Sequence, residues 1–170
     1  MYSLIVKSPR RRLGALLTAS LLLAGAACSR THTFSTADGK VSYQEKGKDA
    51  GAITVTDKDG KTATLDFNQN KLPAGYPKDI PVYSPAKVVM SQSSSDQNAS
   101  SLMLESSDAA DKIVDFYKKG LDSNGWKTES TMNTAQLTML TATKEQRQLV
   151  LQITDAGAKR SVMQTASDKR

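Results

Sequence analysis

Lys71 to Val89 reads KLPAGYPKDIPVYSPAKVV, and four of the chain's five prolines, Pro73, Pro77, Pro81 and Pro85, stand in it at intervals of four. The fifth, Pro9, lies far upstream. Proline at every fourth position forbids a helix and restricts each preceding residue as well, so the backbone must be extended or polyproline-like, broken by turns. Residues 68–85 therefore read as a stiff strap. Leu72, Tyr76, Ile80, Val82 and Tyr83 give it apolar side chains at irregular intervals. That supply predicts a strap laid against a folded surface; a free semi-rigid spacer is the alternative, and it would need no such groups.

Downstream, residues 86–170 carry the pattern of one compact body. AKVVMSQS (Ala86 to Ser93) and SSLMLES (Ser100 to Ser106) read as strands joined by a polar loop. A helix follows, with Asp108 as the expected N-cap, Asp111 in its first turn, and an apolar stripe of Ala110, Ile113, Val114, Tyr117 and Leu121 at helical spacing. Phe116 stands at the margin of that stripe. Gly125 supplies the stop. Trp126 then opens a strand, and three more strand-like runs follow at 135–143, 148–154 and 159–165. Leu149, Leu151 and Ile153 alternate with Val150 and Gln152, as a sheet with one buried face requires. The order is ββαββββ, an α+β fold with one helix across an antiparallel sheet.

Upstream, residues 31–67 read as two hairpins, each marked by the tripeptide Asp-Gly-Lys, at Asp38 to Lys40 and at Asp59 to Lys61. A two-residue turn at Asp38 and Gly39 would set Phe34 opposite Tyr43 and Thr36 opposite Val41. A three-residue loop, Lys58 to Gly60, would set Val55 opposite Ala63 and Ile53 opposite Leu65, with Gly60 left-handed. So few large apolar groups occur here that a mobile meander or stalk is expected, since isolated hairpins are marginal in water. The run DKDG also resembles the start of a calcium loop. An EF-hand needs glycine at its sixth position and glutamate at its twelfth, and counting from Asp57 these are Thr62 and Asn68. Turn chemistry is the better account.

The combination of LPAGYPKDIPVYSPAKVV (72–89), DFYKKGLDSNGW (115–126) and the alternating strands resembles a module that recurs in small uncharacterised exported bacterial proteins, many of them lipoproteins. That family has no assigned activity or catalytic residues, so the resemblance implies a fold and an address and no mechanism. Tyr76, Tyr83, Phe116, Tyr117 and Trp126 are the expected anchors of core or partner, because large aromatic side chains let strap, helix and sheet share one interior.

The address is written at the N-terminus. Lys7 and Arg10 to Arg12 precede the uncharged run LGALLTASLLLAGAA (13–27), and then comes the only cysteine, Cys28. The run is shorter than the roughly 18 residues of a membrane-spanning helix, and its layout is that of a signal peptide over residues 1–27. LLLAGAAC resembles the lipobox of bacterial lipoproteins, with Gly25 where that pattern usually has leucine. The resemblance implies a diacylated, palmitate-bearing Cys28 heading an anchored segment, 28–30, on the cell envelope. With Ser29 following, it implies the periplasmic face of the outer membrane in a host with two membranes. Ordinary cleavage after Ala26 is the alternative, releasing a soluble chain with a free thiol.

Charge and chemistry narrow the remaining classes. All the basic residues of the leader lie before Cys28 and no acidic ones do, which leaves nineteen Lys and Arg against seventeen Asp and Glu beyond it. Nucleic acid is a poor partner for so weak and scattered a charge. His32 is the only histidine, no phosphate-binding glycine loop or His/Cys metal cluster occurs, and the acid pairs Glu105 with Asp108 and Asp111 with Asp115 read as solvated surface. Five of six methionines, Met90, Met103, Met132, Met139 and Met163, fall on expected strands. Core filling is the expectation for them; Cu(I) binding is the alternative. The chain is thus expected to be a non-catalytic, cofactor-free envelope lipoprotein, a binding or scaffolding module for an envelope protein or cell-wall polymer. A small periplasmic hydrolase or a ligand or Cu(I) carrier is the alternative.

Overall fold

The computed structural model describes residues 30–96 and 98–169. The expected signal peptide, 1–27, and Cys28 lie outside them. Strands β1 (Thr31–Thr36), β2 (Gly39–Glu45), β3 (Gly51–Asp57) and β4 (Thr62–Phe67) precede the strap. β5 (Lys87–Ser94), β6 (Ala99–Ser106), helix α1 (Ala110–Ser123), β7 (Lys127–Asn133), β8 (Leu137–Lys144), β9 (Arg147–Ala156) and β10 (Lys159–Asp168) follow it. All ten strands join one antiparallel sheet in the order β1-β2-β3-β4-β5-β6-β10-β9-β8-β7. The fold is α+β, mostly β, with the ββαββββ order intact.

Only one step in the sheet is not between neighbours in the chain or a simple hairpin partner: β10 inserts beside β6, pairing Met163 with Met103 and Val162 with Leu104. That closes the body around α1. Ile113, Val114, Tyr117 and Leu121 bury the helix's inner face against Leu102, Leu104, Leu140, Leu149, Leu151 and Val162. Each fully buried leucine of this set contributes roughly 1.5–3 kcal/mol. The helix ends as its sequence demands: Gly125 takes φ +75°, its N–H reaches the Asp122 carbonyl, and the Trp126 N–H reaches Leu121. Its start differs. The N-cap is Ala109, without a side-chain bond, and Asp108 points instead to the Tyr83 hydroxyl and to Lys112 Nζ at 2.9 Å. A tyrosine donor from the strap competes for the carboxylate that the first turn would otherwise use.

The two hairpins are continuous with the body sheet. β4 pairs with β5 from Ala63↔Ser94 to Phe67↔Met90, and that ladder supplies the stabilisation that the hairpins' sparse apolar content lacks. The second hairpin has the expected register, Val55↔Ala63 and Ile53↔Leu65, with Gly60 at φ +81°. Asp57 Oδ1 accepts the N–H groups of Asp59 and Lys61, so the aspartate shapes the turn. The first hairpin departs from expectation: its loop is Ala37–Asp38, Thr36 pairs with Gly39, Phe34 with Val41 and His32 with Tyr43. Gly39 is claimed by the strand, because it also pairs with Asp57 of β3 and a Cβ there would lie 2.2 Å from the Thr56 carbonyl oxygen. The shift is by two residues, so Phe34 and Val41 still share a face.

The proline ladder is a run of turns. Tyr76 N–H closes on the Pro73 carbonyl and Ile80 N–H on that of Pro77, each at 3.2 Å, and Ala86 N–H closes on Tyr83 at 3.0 Å. Spacing of four thus makes the first two turns end on the residue before the next proline, and the residues so placed, Tyr76 and Ile80, face inward with Tyr83. Leu72 stays half exposed and takes no part. Pro81 lies over Gly120 of the helix, where an added Cβ would come within 3.0 Å of the proline ring. Gly120→Leu should therefore lift the strap, lowering stability by about 1–3 kcal/mol in urea denaturation and making trypsin cleavage at the Lys78–Asp79 bond faster than in the native chain.

Candidate functional site

The five aromatic residues singled out from sequence meet beneath and beside the strap. Tyr83 and Phe116 stand edge to face at 5.1 Å, and Phe116 and Tyr117 at 5.3 Å. Tyr117 is fully buried, and its hydroxyl accepts from the Tyr83 backbone N–H at 3.3 Å and from Gln164 Nε2. Gln164, also fully buried, accepts from the Tyr76 hydroxyl at its Oε1. One amide on β10 thereby ties the strap to the helix. Burial pushes the Tyr76 and Tyr117 phenols well above their ordinary range, so both remain protonated and available as hydrogen-bonding groups.

A second clasp sits at the strap's middle. Asp79 receives Arg147 through two nitrogens at 2.6 and 3.0 Å and Lys144 Nζ at 2.8 Å, while Trp126 Nε1 donates to its carbonyl at 3.1 Å. Arg147 also lies over the Trp126 ring, 5.0 Å from its centroid. The Arg147 hydrogen bonds, with Lys144 in support, hold the Asp79 carboxyl well below the usual carboxylate range against the opposing effect of burial. Its side chain is only 25% exposed, so the pair is screened less than a surface ion pair.

These groups hold one another, and their geometry is that of a fastening. The carboxylates weighed for acid–base chemistry do not converge: Glu105 pairs with Lys159 at 2.7 Å, Asp108 serves Tyr83 and Lys112, and Asp111 and Asp115 are exposed on the helix. His32 is exposed on β1 opposite Tyr43. Among the described residues no three His, Cys, Asp or Glu side chains gather to hold a metal, and no helix is long and apolar enough to cross a membrane. The space between helix and sheet is occupied by Leu102, Leu104, Leu121, Tyr117 and Gln164, all fully buried.

The opposite face of the sheet is different. Phe34, Val55, Met90, Met132 and Met163 are between 38% and 65% exposed, and all lie on the side turned away from α1. The expected role of the methionines in the core is therefore overturned: Leu102, Leu104, Val162 and Leu140 occupy the inward positions beside them, and the alternation of the strands turns Met103, Met163 and Met139 outward. The same face carries an open groove of about 820 Å³ at one end, lined by Asn98, Thr143, Gln148, Thr165 and Ser167. An uncharged edge strand, β1, bounds the face on one side; β7, with a bulge at Thr128/Ser130 and the charged Lys127 and Glu129, bounds it on the other. Gln164, Asp79, Arg147 and this open face are the features that sequence reasoning did not single out.

The architecture defines a helix-on-sheet α+β protein whose interior is filled and whose second sheet face is bare. A family model described as START domain-like matches residues 87–167, the stretch from β5 through α1 to β10. No curated protein and no solved structure matches the chain.

Asp79→Asn should destabilise the chain by about 1.5–3 kcal/mol at neutral pH, as measured by urea denaturation, because both cations lose a charged acceptor. Since the folded-state pKa of Asp79 is depressed, its contribution is complete above the unfolded value of about 4 and falls away as the pH drops toward the folded value. The gap between native and variant stabilities should accordingly narrow below about pH 4.

Proposed function

We propose that the chain is a lipid-anchored protein of the bacterial cell envelope, tethered through Cys28, and that it acts as a non-catalytic binding module. The partner is an extended segment of another envelope protein, added as a strand to β1 and packed against the apolar side chains beside it. The observation that carries this reading is Phe34, 65% exposed on an edge strand that holds no charged side chain. Native sheets ordinarily blunt such an edge with charge, proline or a bulge, as β7 does here. Val41 and Val55 continue the apolar row across β2 and β3, which gives an added strand pockets for alternate side chains as well as main-chain partners. The resemblance of the strap, helix and Gly-Trp segments to small exported lipoproteins supports the address, and the lipobox-like LLLAGAAC supports the anchor. A ligand held between helix and sheet, as a carrier or hydrolase would need, is disfavoured by the leucines and Gln164 that fill that space.

The Arg30 carbonyl accepts from the Glu45 N–H, so the even-numbered residues of β1 bond to β2 and the odd-numbered ones point their N–H and C=O groups to the open edge. Thr33→Pro removes one outward donor and leaves the β1–β2 ladder whole. A photo-crosslinking residue at position 34 in native membranes should yield a discrete adduct that Thr33→Pro abolishes and that position 128 on β7 does not give. Equal adducts at both edges, or none at 34, would reject the edge as the docking site. Tritiated palmitate should label the chain and not its Cys28→Ala variant; equal or absent labelling defeats the anchor.

A further inference from the structure

Every methionine after Met1 lies in one transverse row of the sheet. Met90 of β5 pairs directly with Met103 of β6, Met103 with Met163 of β10, Met163 with Gln152 of β9, Gln152 with Met139 of β8, and Met139 with Met132 of β7. Directly paired residues project to the same face. The row therefore presents three thioethers on adjacent strands, an amide, then two more thioethers, all on the face away from the helix. Phe67 of β4 closes the near end of the row, its ring laid over Gly51, where a Cβ would fall 2.7 Å from Cζ.

We propose that Met90, Met103 and Met163 form a three-thioether site for a soft monovalent cation, Cu(I) or Ag(I). Neighbouring strands stand about 4.8 Å apart, and methionine has three rotatable bonds, so three sulfurs from successive strands reach a common point above Met103. Met90 and Met163 are each 38% exposed and Met103 is partly buried between them, which leaves the sulfurs open from above and backed by the sheet. Thioether sulfur selects Cu(I) over the hard divalent ions. Hard ligands near the row are few and occupied: on the same face of β6 the next side chains along are Ser101 and Glu105, and Glu105 is bonded to Lys159 at 2.7 Å. The only histidine stands on β1, five strands from β6 in the sheet order. Core packing does not explain the row, since it lies outside the core, and exposed sheet surfaces are more commonly faced with β-branched and aromatic residues. Gln152 separates off Met139 and Met132, which make a weaker, two-sulfur position. The site is independent of what docks at β1.

The test uses the full chain in detergent with Cys28→Ala, which removes the one thiolate, and Cu(I) supplied anaerobically as its coloured bicinchoninate complex. The chain should withdraw a single tightly held Cu(I), equally well at about pH 5.5 and pH 7.5, because thioethers carry no proton whereas imidazole titrates across that range. Loss of even an outer-shell partner costs a metal site roughly 10–100-fold, so the triple variant Met90→Leu, Met103→Leu, Met163→Leu should bind at least about tenfold more weakly while keeping its thermal midpoint. Met132→Leu with Met139→Leu should leave the tight binding unchanged. The proposal is overturned if no Cu(I) leaves the chelator, if the triple leucine variant withdraws it as well as its parent, or if binding collapses at the lower pH.

Discussion

Gln164 is a primary amide with no exposure, placed on β10 among the aliphatic and aromatic side chains of the core. An amide buried without partners costs several kcal/mol, and its two ends need different ones. The oxygen is answered by Tyr76 of the strap and the nitrogen by Tyr117 of the helix. Three segments separated by 88 and 47 positions must therefore arrive together, or the core holds an unpaired group. The strap is in this sense an interior element. Its turns set Tyr76, Ile80 and Tyr83 at the spacing the amide, the leucines and Phe116 require, and the Asp79 clasp closes it down onto Trp126 and the β8–β9 turn.

The helix covers only part of the sheet, and this division explains the composition of the rest. Strands under α1 turn mainly aliphatic side chains such as Leu102, Leu151 and Val162 inward and mainly polar or thioether ones such as Ser101, Gln152 and Met163 outward. Strands β1 to β4 extend past the helix, and there threonines such as Thr54 and Thr64, bonded to each other at 3.2 Å, occupy the helix-side face while Val41, Ile53, Val55 and Leu65 occupy the other. The apolar preference thus changes sides along the sheet. A sheet of ten strands ordinarily curls or is covered; here the hairpins gain order by pairing onto β5 and leave their apolar side uncovered.

What was legible in the sequence was local. The helical stripe, the Gly125 stop and the Lys58–Gly60 loop each depend on a few successive residues, and each stands where the pattern put it. The strap's docking was legible too, because prolines alone would not have needed the tyrosines. The first hairpin was misplaced since a dipeptide preference favours Asp-Gly in the turn, whereas Gly39 is required by a contact to Thr56, on another strand. Asp108 was read as a cap because nothing nearby announced Tyr83, 25 residues away. Gln164 and the partners of Asp79 depend on pairings across 47 to 88 positions, for which one sequence carries no signal. The methionines are an intermediate case. Met103 between Leu102 and Leu104 is outward by parity alone, but their alignment in a single row follows from the insertion of β10 beside β6, which is not a local property.

The position of the proposed tether gives the sheet order a meaning. Cys28 precedes β1 by only three positions, about 10 Å of extended chain, and β1 is the terminal strand of the sheet. Nine steps of about 4.8 Å separate it from β7. A lipid at Cys28 would hold the β1 edge of the sheet close to the bilayer and leave the helix-covered body and the methionine row farther along the sheet from the tether. An edge strand near a membrane is accessible to an extended partner only along its outer side, which is where the odd-numbered residues of β1 direct their free backbone groups. The far edge, β7, has no such confinement, and it is the edge that carries the bulge and the charges. With that tether, protection would sit where encounter is unrestricted, and the bare edge where the tether would limit what can approach.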